Sequence, residues 1–195
     1  MKRVHSRSAL VSAAALLLAA HGAWMPASWA DEVEDAMKEA IDAYKSKDYK
    51  GATEALDYAT TLIRQQKGNV LESYLPDPLQ GWKAEEAESA AAGTAFMGGG
   101  VSAQRVFIKG DKRVTVALIT DSPMLSGMMM MFGNPMFATS DGGKMQRING
   151  QKAMVKRGEV TMAVSNTLVT VNGNADEAEL VEYAKAVDVE GLAKQ

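Results

Sequence analysis

Apolar residues in the first third of the chain recur at helical spacing. Val33, Ala36, Met37, Ala40 and Tyr44 share one helical face, with Glu34, Lys38, Asp42 and Lys45 elsewhere. Ser46-Lys47-Asp48 interrupts the pattern, and the Asp48 carboxylate is placed to cap a following helix. Ala52, Leu56, Ala59 and Ile63 then resume the spacing, and Val70, Leu71 and Tyr74 extend it. Leu75-Pro76-Asp77-Pro78 stops it, because proline lacks an N–H and disfavours helix in the residue before it. A short connection makes the two helices antiparallel neighbours, so residues 31–74 read as a helical hairpin whose alanines permit close approach.

The period changes to two in residues 79–195, the second predicted module. Trp82 to Glu88 reads as a first strand or an irregular edge segment, and Ser89 to Gly100, small and glycine-rich, as a loop. Val101 to Ile108 and Arg113 to Thr120 read as strands joined through Gly110. Lys144 to Ile148 and Gln151 to Lys156 flank Asn149-Gly150, a strong hairpin signal because both residues tolerate positive φ. Glu159 to Val164 and Thr167 to Asn172 follow, separated by Ser165-Asn166. Leu180, Tyr183, Ala184 and Val187 mark a final helix, with Asn174 as the expected cap and Glu177 as its capping-box partner. The predicted fold is α+β: a helical hairpin, then an antiparallel meander covered by a methionine-rich helix and a C-terminal helix.

That methionine-rich stretch lies between Asp121 and Asp141 and carries no charged residue. Ser122 can cap a helix with Pro123 at its first position, and Gly133-Asn134-Pro135 should stop it. Met124, Met128 and Met131 would line one face, with Phe132 beside them and Met136 beyond. Flexible methionines suit a core helix, and equally an adaptable surface for a protein or apolar ligand. Thioethers also suit Cu(I), which makes Met124, Met128 and Met131 an alternative metal set. Trp82 reads as a core plug or an aromatic lid. Glu85, Glu86 and Glu88 read as a solvated edge or an acidic site.

The N-terminus changes the chemistry available. Lys2, Arg3 and Arg7 precede an apolar run from Ala9 to Ala20, and Ser28-Trp29-Ala30 offers small residues where a signal peptidase cuts. The order is that of a secretory leader, residues 1–30, with cleavage expected after Ala30 and a periplasmic product. The run is too short for a permanent membrane span, so none is expected in the mature form. Both histidines, His5 and His21, leave with the leader, and the chain has no cysteine. Histidine-based triads, Cys–His pairs, ordinary zinc sites and disulfides are thereby excluded. An acid or base would have to be a carboxylate, lysine or tyrosine with a shifted pKa. Gly98-Gly99-Gly100-Val101-Ser102-Ala103 loosely imitates a dinucleotide fingerprint but leads into a strand rather than a helix. The formal charge of −3 and the lack of a basic patch exclude a nucleic-acid partner. No cofactor is implied.

Two resemblances add to this. Ala40-Ile41-Asp42-Ala43-Tyr44-Lys45-Ser46-Lys47-Asp48-Tyr49-Lys50-Gly51-Ala52 resembles the centre of one tetratricopeptide repeat, without a second copy. Gly81-Trp82, Gly98-Gly99-Gly100, Asp121-Ser122-Pro123-Met124 and Asn149-Gly150 resemble uncharacterised secreted proteins of proteobacteria. The second resemblance implies a periplasmic location and no activity. The leading expectation is a non-enzymatic periplasmic binding or interaction protein, touching an unknown protein or apolar ligand through Met124, Met128, Met131, Phe132, Met136 and Trp82. A Met-based Cu(I) protein and a carboxylate- or lysine-dependent enzyme are the alternatives.

Overall fold

A computed structural model describes residues 29–91, 100–123, 125, 127 and 142–195 of the chain. The fold is α+β. Helices α1 (Trp29–Lys45) and α2 (Tyr49–Glu72) form the antiparallel hairpin. Lys47 takes a positive φ of 65° in the turn, and the Asp48 carboxylate accepts the Gly51 N–H at 3.0 Å to cap α2. The helices touch through small residues: Ala36 and Ala40 on α1 meet Ala52, Ala55 and Ala59 on α2, all buried. Helix α1 packs principally on α2, whereas the C-terminal part of α2 also lies on the sheet. Leu71 and Leu75 share one hydrophobic cluster with the strands.

Among the described residues the sheet has eight strands: β1 (Lys83–Ala84), β2 (Glu88–Ala91), β3 (Val101–Lys109), β4 (Lys112–Thr120), β5 (Lys144–Ile148), β6 (Gln151–Lys156), β7 (Glu159–Val164) and β8 (Thr167–Gly173). Its order is β1-β3-β4-β8-β7-β6-β5, with β2 also on the outer edge of β3. Every described pairing is antiparallel. One row across the sheet, Ala103–Leu118–Val169–Met162–Ala153, is fully buried on the helix-covered face. Helix α3 (Glu177–Ala186) packs on that face, and a short helix, α4 (Val189–Leu192), follows. Strands β4 and β5 point the same way, with β8, β7 and β6 between them.

Two sequence expectations are corrected and one pair of alternatives is decided. Ser89 to Ala91 is strand, not loop: Ser89 pairs with Ala103 and Ala91 with Val101. Its small residues fit because α2 passes close by, and a Cβ on Gly68 would stand 3.0 Å from that of Ser89. Of the two alternatives for Trp82 to Glu88, the irregular edge segment is the one formed, because Glu85, Glu86 and Ala87 oppose only Arg105 and Val106. This is a bulge in an edge strand, held where the Glu85 N–H donates to the Val106 carbonyl at 2.8 Å. Asn174 does not cap α3. Its Oδ1 accepts the Arg113 N–H at 2.6 Å and its Nδ2 donates to the Asp111 carbonyl at 2.9 Å, fastening the end of β8 to the β3–β4 turn. Asp176 is the cap, and its N–H donates to the Glu179 carboxylate at 3.3 Å.

Candidate interaction surface

The hairpin's apolar stripe is too wide for one helix–helix contact. Its alanines go inside and its large residues stay outside. Met37, Ile41 and Tyr44 on α1, and Tyr49, Leu56, Ile63 and Val70 on α2, are between 41% and 65% exposed. At about 100° per residue, the large stripe lies roughly 90° round α1 and roughly 60° round α2 from the buried alanines, in the direction each helix winds. Two antiparallel helices wind oppositely as seen from one end, so offsets of the same sense bring both stripes to one side of the hairpin. The Tyr44 and Tyr49 rings meet there edge-on, 5.9 Å apart across the turn. Tyr58, 51% exposed, lies on the opposite side of α2.

On α2 the stripe repeats every seven residues, Tyr49, Leu56, Ile63 and Val70, with Ala52 and Ala59 between. This surface escapes a reading that assigns all apolar positions on one helical stripe to one partner. The distinguishing signal is residue size. Alanines hold the helices close together, which leaves no room between them for the neighbouring tyrosine, leucine and isoleucine side chains.

The residues singled out from the sequence fall elsewhere. Trp82 is 7% exposed and packs edge-on against Tyr183, ring centres 5.3 Å apart, while Phe107 meets the same tyrosine at 4.4 Å. Lys109 Nζ lies 5.6 Å above the Trp82 ring. The burial that packs this aromatic cluster also pushes the Tyr183 hydroxyl up to about 12. Met124, Met128, Met131, Phe132 and Met136 lie outside the described residues, so the methionine helix and the Cu(I) set do too. Next to that segment, Ser122 and Leu125 are buried. Glu85, Glu86 and Glu88 stand exposed along the bulged edge, where Glu85 pairs with Arg113 at 3.2 Å and Glu88 accepts from Gln104 at 3.2 Å.

One charged cluster is built into the fold. Lys112 Nζ reaches Asp176 at 2.7 Å and Glu179 at 2.8 Å, and Lys109 reaches Glu179 at 3.2 Å. Hydrogen bonding from Lys112, then Lys109, overcomes partial burial and holds the Glu179 carboxyl at about 2. The same carboxylates, Asp176 first, raise Lys112 above its ordinary value. Both charged forms are locked in, so neither group is poised to exchange a proton near neutrality. The cluster ties the start of α3 to the β3–β4 turn. Among the described residues, no group of three or more His, Cys, Asp or Glu side chains could hold a metal ion, and no helix is long and apolar enough to cross a membrane. No family model, curated protein or solved structure matches the chain.

Proposed function

We propose that the protein is a non-enzymatic interaction protein of the periplasm, exported by the leader that ends at Ala30, and that it recognises its partner through the apolar face of the hairpin. The observation that carries this reading is the set of large side chains from Met37 to Val70 left in solvent on one side of two adjoining helices. A lone exposed leucine means little, but a contiguous apolar patch spanning two helices marks a contact surface. The uncharged stretch between Asp121 and Asp141, with Met124, Met128, Met131, Phe132 and Met136, is proposed as a second adaptable surface on its composition alone.

Photo-crosslinking in the intact cell tests the proposal. A photoreactive residue at Ile41 or Leu56 is expected to give covalent adducts in the periplasmic fraction, and one at Tyr58 is not. Equal labelling from all three positions, or adducts from none, contradicts it.

A further inference from the structure

We infer that the partner on this face is a second copy of the chain, the two hairpins packing face to face as an isologous dimer. The inference rests on reading that face as a contact surface and adds the identity of its occupant. Helix α2, with 24 residues, presents a stripe along most of a length of about 36 Å at 1.5 Å per residue. The matching object is another long helix with apolar residues at the same interval.

The stripe complements itself. A twofold axis crossing α2 midway between Leu56 and Ile63 runs the two copies of α2 antiparallel. Leu56 then meets Ile63 of the partner subunit, and Tyr49 meets Val70 of the partner subunit. The bulkiest side chain on the stripe thus faces the smallest, the size alternation that lets facing layers interdigitate. The relation is reciprocal, as an isologous interface requires.

Area and charge agree with a copy as occupant. If each of the seven exposed side chains keeps roughly 100 Å² in solvent, against the 150–250 Å² that an aromatic buries in full, pairing removes about 700 Å² per copy. A standard interface needs about 800 Å² per partner. The exposed stripe residues Tyr49, Leu56, Ile63 and Val70 carry no charge, so the seam attracts neither a basic nor an acidic partner. At the border on α1, Lys38 pairs with Asp35 at 3.1 Å and with Glu34 at 3.8 Å, so the like charges of an approaching copy are already compensated.

Sedimentation equilibrium tests this on the protein carrying the N-terminus it has after processing in the cell. The expected mass at micromolar concentration is twice that of the chain. The double variant Leu56→Glu/Ile63→Glu is expected to weaken association at least tenfold and sediment as a monomer with unchanged circular dichroism, since both side chains are exposed. Tyr58→Glu, on the other side of α2, should remain dimeric. A monomeric unaltered protein overturns the inference, as does a double variant that stays dimeric or a Tyr58→Glu variant that dissociates equally. A monomer that still gives adducts with other proteins from Ile41 and Leu56 would end the self-association and leave the contact surface standing. A monomer with no adducts would end both.

Discussion

Glu179 shows how one side chain fixes an element. It accepts the Asp176 N–H within the cap of α3 and pairs with Lys109 and Lys112 from the adjoining hairpin. Its carboxyl is held at about 2 against an ordinary 4.5, so the folded state binds the proton more weakly than the unfolded chain. The resulting stability is fully present above pH 4.5 and is lost as pH falls toward 2. Glu179→Gln is expected to melt lower than the native protein at neutral pH, with the difference narrowing steadily across that acid window. Thermal unfolding followed by circular dichroism from pH 7 to pH 2 checks it, and a difference that does not change with pH contradicts it. The start of α3 was legible in the sequence to within a few residues. The exact cap was not: Asn174 was expected, and only the register of β8 against β4 takes it away to Arg113 and Asp111, leaving Asp176 as the cap.

The elements divide by how local their causes are. The Asn149-Gly150 turn was legible because both residues take positive φ, 48° and 78°, as a tight hairpin demands. The hairpin of α1 and α2 was legible too, down to the Asp48 cap. Strand β2 was not, because Ser89-Ala90-Ala91 has little strand preference of its own. It pairs because the edge of β3 offers hydrogen-bonding groups and because α2 at Gly68 leaves room only for small side chains. The alanine seam has a consequence at this scale. Ala59, 2% exposed between the helices, cannot grow without parting them. Ala59→Leu is expected to destabilise the fold by about 1–3 kcal/mol, the usual cost of overpacking, read as a lowered midpoint in urea. No change in midpoint would mean that the helices are not closely apposed there.

In the whole molecule, core packing and the proposed contact surface occupy different faces. The sheet buries rows such as Ala103–Leu118–Val169 beneath α3 and the end of α2, while α1 and the rest of α2 carry large apolar residues into solvent. The candidate surface was only half legible. Met37, Tyr44, Leu56 and Ile63 stood out in the helical pattern, but periodicity alone does not tell a residue packed between two helices from one on their outer flank. The sequence drew attention instead to the methionine stretch, Met124 to Met136, which lies outside the described residues. Trp82, the other candidate, belongs to the aromatic cluster under α3. The absence of histidine and cysteine beyond residue 30 pointed toward recognition rather than familiar catalysis, and the exposed hairpin face is the surface proposed for it.

The most direct test of that contact surface is a tyrosine footprint, which uses reporters already in place. Tyr44 and Tyr49 lie on the proposed contact face, and Tyr58, of similar exposure, lies opposite. Radical labelling of the protein in the cell is compared by mass spectrometry with labelling of the purified protein diluted until it associates with nothing. Tyr44 and Tyr49 are expected to be several-fold less labelled in the cell while Tyr58 is unchanged. Labelling of all three to the same extent in both settings would show that the hairpin face stays bare, and would contradict the account.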